Sequence, residues 1–166
     1  MPNTNPVIDS PELIKYIIDE SHSLPVKIFP IGAITKSQEG KKLAEIGLMV
    51  KEGAIAISDD GIPIMNAQVM RYALEYAKMF NIPVINHAED LDLVNDGVMN
   101  EGYISNYLGL SGNPPIAESI MINRDLQIAK YIGGRIHIPH VSSGVSSSII
   151  KEYKKKGVRV SSEVTP

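Results

Sequence analysis

The sequence predicts an α/β fold built on a parallel sheet. Short apolar runs of strand character alternate with segments whose apolar residues recur at i, i+3, i+4 and i+7. Five such runs can be marked along the 166 residues, each preceded by a helical segment. Strict alternation of this kind implies right-handed crossovers between parallel strands. The length suits one domain. Five strands make either a small doubly wound sheet or five of the eight units of a barrel, whose full size is ~250 residues.

The elements follow in order. Ser10-Pro11-Glu12 opens a helix, with a hydroxyl N-cap, proline at the first position and an acid in the first turn; Leu13, Tyr16 and Ile17 form its apolar stripe. Val26–Gly32 reads as a short strand restricted by Pro30. Ser37–Val50 reads as a helix, since Leu43, Ile46, Gly47 and Val50 share a face. Strand Ala54–Asp60 carries small residues on one face and isoleucines on the other. Helix Ala67–Phe80 and strand Pro83–Ala88 come next, followed by a long irregular connection with several glycines over Asp90–Pro115. Connections this long are usually functional. A helix over Pro115–Tyr131 is stopped by Gly133-Gly134. Strand Arg135–Val141, helix Val145–Lys156 and strand Val158–Val164 complete the series.

Composition narrows the function classes. Net charge is −3, and no basic tract offers a surface for nucleic acid or an anionic membrane. No apolar run approaches the ~18 residues of a membrane span, and the first residues lack the basic-then-apolar order of a secretory leader. Cysteine is absent, which excludes disulfides and thiolate metal sites. The expected location is cytoplasmic. Both ends look cut, because Pro2 and Pro6 precede the first helix with no strand in front of it, and the chain stops as a strand is finishing.

Asp60, His87 and His140 each end a strand, and parallel strands bring their C-terminal ends together. Carboxylate and imidazole at converging strand ends suit Zn²⁺, and three ligands leave a coordination position open. The competing reading is a pair of hydrogen-bonded loop histidines and a solvated Asp59-Asp60-Gly61 turn. His137 falls on the other strand face and is assigned to structure; His22 reads as a solvated cation at a helix end. Glu89 and Asp90 are read as a surface acid pair, with orientation of an imidazole as the alternative. Asn100-Glu101-Gly102 and Leu108–Pro115 are a lid or a flexible connection. The serines at 142, 143 and 146–148 lack a strand–turn–helix elbow and read as helix-capping residues.

Seven short motifs then occur in order: Met1-Pro2-Asn3-Thr4-Asn5-Pro6, Gly32-Ala33-Ile34-Thr35-Lys36, Ser58-Asp59-Asp60-Gly61, His87-Ala88-Glu89-Asp90, Asn100-Glu101-Gly102, His137-Ile138-Pro139-His140-Val141-Ser142 and Glu163-Val164-Thr165-Pro166. Together they resemble bacterial-type dihydroorotase of the amidohydrolase superfamily, over the whole chain. The resemblance implies a partial (β/α)₈ TIM barrel, about five consecutive βα units, with residues 1–166 as the central part of a single barrel domain. It implies zinc, one or two ions in the intact enzyme, and interconversion of dihydroorotate and N-carbamoyl-aspartate in pyrimidine biosynthesis. Asp60, His87 and His140 look like metal ligands, and Asn3 looks like the substrate-binding asparagine. The lysine that bridges two metals in hydantoinase-like relatives has no counterpart at the Asp60 strand end.

The family's His-x-His pair and its general acid/base aspartate fall outside this span, so the resemblance is to a central fragment and assigns no catalytic residue within it. Such a fragment is expected to be inactive alone. Expected partners are a small-molecule substrate, a second copy of the chain, or aspartate transcarbamoylase. A non-catalytic scaffold and a hydantoinase- or allantoinase-like hydrolase are the alternatives.

Overall fold

The computed structural model describes residues 1–94 and 96–164. In chain order its elements are α1 (Pro11–Ser21), β1 (Ile31–Gly32), α2 (Ile46–Lys51), β2 (Ala56–Ser58), α3 (Ala67–Met79), β3 (Pro83–Ile85), α4 (Leu91–Val94), β4 (Met99–Asn100), α5 (Tyr103–Leu108), β5 (Gly112–Asn113), α6 (Ile116–Ile132), β6 (Arg135–Val141), α7 (Gly144–Lys155) and β7 (Arg159–Val164), with a 3₁₀ turn at Lys36–Gln38. β1, β2, β3, β6 and β7 hydrogen-bond in that order, every pair parallel. This is the five-stranded α/β sheet that the alternation predicts.

Register explains the two faces. Ile57, Val84, Ile136 and Val160 lie side by side across four strands and are all buried. They join Met70 and Leu74 of α3 and Ile122 and Leu126 of α6 in one core. Each fully buried side chain of this size stabilises by about 1.5–3 kcal/mol. The opposite face carries Ser58, Ile85, His137 and Ser161, and of these only Ser58 is buried.

Local signals set several boundaries. The Asn66 side chain accepts from the amides of Gln68 (2.8 Å) and Val69 (3.3 Å) and so starts α3. Gly133, at φ 72°, ends α6 in the left-handed region that a Cβ disfavours. Ser10 stands at the N-cap position of α1, but its side chain makes no capping bond.

Three expectations change. Strand Val26–Gly32 shrinks to Ile31–Gly32, because Pro30 has no amide to donate and Val26 and Phe29 are exposed. Helix Ser37–Val50 shrinks to Ile46–Lys51. Ser37 and Gln38 take positive φ, and the backbone folds back so that Lys36 bonds Lys42 and Ala44 bonds Ile34. Those pairings use the Lys42 carbonyl and the Ala44 amide that a helix would need. The connection after β3 is not irregular: α4 is followed by β4 and β5, a parallel pair enclosing α5. Of the Glu163-Val164-Thr165-Pro166 motif, Thr165 and Pro166 lie outside the described residues.

Close backbone approach fixes this small pair of strands. A Cβ on Gly112 would lie 2.5 Å from the Glu101 Cα and 2.7 Å from its Cβ. Gly112→Ala is therefore expected to separate β4 from β5, speeding amide exchange across residues 97–113 while the main sheet stays protected. Hydrogen exchange read by mass spectrometry checks this; unchanged protection over 97–113 would refute it.

Candidate functional site

The chain ends of β2, β3 and β6 deliver the polar residues, and the two acids after β2 divide their work. Asp59 is buried and accepts from the amides of Ile34 (2.7 Å) and Thr35 (3.1 Å) and from the Thr35 hydroxyl. Burial pushes its carboxyl up, against the pull of those three donors. Thr35 in turn accepts from Gly40, so Asp59 is consumed in holding the 33–40 loop. Asp60 is half-buried, and none of the side-chain hydrogen bonds among the described residues uses it.

The two histidines meet. His87 Nδ1 stands 3.1 Å from His140 Nε2, with the rings edge to face and their centroids 4.9 Å apart. The other nitrogen of His87 faces Glu89 Oε2 at 3.3 Å, and Glu89 Oε1 accepts from the Asn113 side chain at 3.1 Å. A neutral His87 that donates Nε2–H to Glu89 leaves Nδ1 bare and aimed at its partner. Glu89 is thus no surface acid; it orients an imidazole. Asp90 instead accepts from the amides of Asp92 and Leu93 at the start of α4. A cavity of about 210 Å³ opens over the pair, lined also by Asn100, Asn113, Glu118 and Ser142. The stretch expected as lid or connection supplies its wall.

The pair fits a zinc ion in part. Two imidazole nitrogens on one tetrahedral ion at ~2.0–2.1 Å stand roughly 3.3 Å apart, close to the separation seen. The carboxylate behind His87 is the partner that metal-bound imidazoles usually have. Among the described residues, however, no three His, Asp or Glu side chains are gathered closely enough to hold one ion. Of the expected set, His87 and His140 meet, and Asp60 does not join them in a group close enough to hold one ion among the described residues.

A buried polar ring supports the strand end before His87. Asn86 donates to Asp125 Oδ2 at 2.6 Å and accepts from the Ile64 amide at 3.3 Å. Asp125 accepts from the Arg124 guanidinium at 2.7 Å, and Arg124 donates to the carbonyls of Ile64 (2.7 Å) and Met65 (2.8 Å). The ring ties the loop after Asp60 to β3 and α6. Burial pushes the Asp125 carboxyl up to about 6, although Arg124 and Asn86 pull it down.

Glu118, in the first turn of α6, accepts from the Ser142 amide (2.8 Å) and hydroxyl (2.6 Å) and from the Ser143 amide (3.1 Å). Burial raises its carboxyl, but bonds from Ser142, Ser146 and Ser143 outweigh that and hold it below its ordinary value. Ser143 caps α7 by accepting from the Ser146 amide.

The remaining sequence candidates lie elsewhere. Asn3 is exposed and bonds neither histidine. His137 faces Ser161 Oγ at 2.9 Å, and His22 faces the Ile18 carbonyl. Sequence reading missed Asp125 and Glu118, which look like ordinary polar residues of a helix. The one available signal for Glu118 was its place three residues into α6, after Pro114-Pro115.

Residues 1–146 match the family model described as Dihydro-orotase-like. The chain is 48% identical over 167 residues to a protein named Dihydroorotase from Ruminiclostridium cellulolyticum, and 50% identical over the same length to one from Acetivibrio thermocellus. Each comparison covers 100% of this chain and 39% of the relative, so the chain spans about two-fifths of these curated relatives. Among solved structures, L-hydantoinase (dihydropyrimidinase) from Arthrobacter aurescens matches with a TM-score of 0.79 at 18% identity, over 100% of this chain and 38% of that one. A D-hydantoinase matches with a TM-score of 0.65 at 19% identity, over 91% and 35%. At such identities the likeness is one of fold.

Proposed function

From a chain that belongs to the dihydroorotase-like family, we propose a zinc-dependent cyclic amidohydrolase that opens dihydroorotate to N-carbamoyl-aspartate and closes it again. Residues 1–166 would form the middle of one barrel domain, contributing five of its eight strands. The observation that carries the reading is the His87–His140 pair, two imidazole nitrogens 3.1 Å apart at the mouth of a polar cavity.

His87 Nδ1 and His140 Nε2 would hold the metal, with Asp60 completing the set. Bound zinc supplies a Lewis acid for the amide carbonyl and lowers the pKa of water toward ~7. Glu89, 3.3 Å from His87 Nε2, would accept an Nε2–H and so favour the tautomer whose ligating Nδ1 is bare. Asn3 would donate to the substrate carboxylate. Asn100 and Asn113 offer amides on the cavity wall that suit a ring carbonyl or N–H.

The test is dihydroorotate hydrolysis by zinc-loaded full-length protein, run beside Asp60→Ala. Turnover by the parent, with loss of both zinc and activity in the variant, is the expected result. Full activity in Asp60→Ala would remove that residue from the site. Hydrolysis of hydantoins without dihydroorotate turnover would move the substrate to the five-membered ring amides.

A further inference from the structure

We propose that Glu118 is a positioning residue for His140, holding the backbone turn that points this imidazole at His87. His140 has φ 39°, left-handed and unfavourable for a residue with a Cβ. Conformations of this kind persist only where the surroundings over-determine them. The sheet does not do so here. The β6–β7 ladder is regular from Arg135 to Ile138, then shifts register before resuming at Val141↔Val164, and His140 lies in the gap.

The chain is caught again just beyond. Both oxygens of Glu118 are used, one taking the amide and hydroxyl of Ser142 and the other the amide of Ser143. Charged acceptors make the stronger hydrogen bonds. Three of them reach residues two and three positions past His140, from a helix packed against β6 and α7. Ser143 then caps α7, which leaves the exit from His140 little freedom. Glu118 also lines the cavity over the pair.

This inference rests on the pair being the centre of the site proposed above, and the experiment separates the two. E118A and E118Q are made in the full-length protein, and the imidazole ¹⁵N and ¹³C signals of His87 and His140 are recorded without metal, followed by zinc affinity. E118A is expected to shift the His140 signals and lower zinc affinity by ~10–100-fold, the range for a group that supports a metal ligand. E118Q, which keeps one acceptor oxygen and the size, is expected to fall between E118A and the parent. A lower melting temperature with unmoved imidazole signals in both variants would make Glu118 a helix-capping residue only and overturn the proposal. A parent protein that binds no zinc, while E118A still shifts the His140 signals, would sink the metal reading and leave the positioning role standing.

Discussion

Asp125→Ala is expected to destabilise the folded protein by about 3 kcal/mol at pH 7, the lower part of the range for breaking a buried ion pair. The side chain is fully buried, and its loss strands the Asn86 amide and the Arg124 guanidinium together. Arg124 is 20% exposed, so water recovers part of the cost. Urea unfolding of parent and variant gives the difference. The pH dependence carries its own sign. The folded pKa of about 6 lies above the ~3.9 of an unfolded aspartate. Proton binding therefore favours the folded state. That contribution is complete below pH ~4 and is lost as pH rises through about 6. In Asp125→Asn this slope is expected to vanish, and an amide facing the Arg124 donors lowers stability at every pH. A parent whose stability difference from Asp125→Asn stays constant between pH 4 and 7 would contradict the raised pKa.

The second large effect is on metal. On the proposed metal reading, His140→Ala in full-length protein is expected to cost more than the ~100-fold in zinc affinity that marks loss of a supporting group, because it would remove a ligand itself. Turnover is expected to fall with it. His87→Ala should behave alike, and the double variant should be little worse than either if the two nitrogens act on one ion. Zinc affinity measured by competition with a chelator decides this. Independent, additive losses would mean that the histidines serve separate sites.

Much of the fold was legible because its signals are local. Pro11 opens α1, Gly133 stops α6, and helical and strand periods alternate on either side of the Asp90–Pro115 connection. Failures came where distant partners overrode local pattern. Leu43, Ile46, Gly47 and Val50 do share helical spacing, yet Thr35 is anchored on Asp59 and the chain before Ile46 pairs backward instead. The glycines after Asp90 suggested irregular chain, but Gly112 is small so that β5 can lie against Glu101.

The site divides the same way. Sequence alone placed His87 and His140 at the ends of strands that parallel pairing must bring together, and ordered motifs identified the family. Only the tertiary structure decided that these two nitrogens face each other, that Glu89 stands behind one of them, and that Asp60 does not join them in a metal-sized group among the described residues. Asp125 and Glu118 were invisible for a physical reason. A carboxylate on a helix reads the same whether it meets water, an asparagine 39 residues away or a serine amide 24 residues away. Periodicity records which residues avoid water, whereas the partner of a polar group is fixed only when the chain closes.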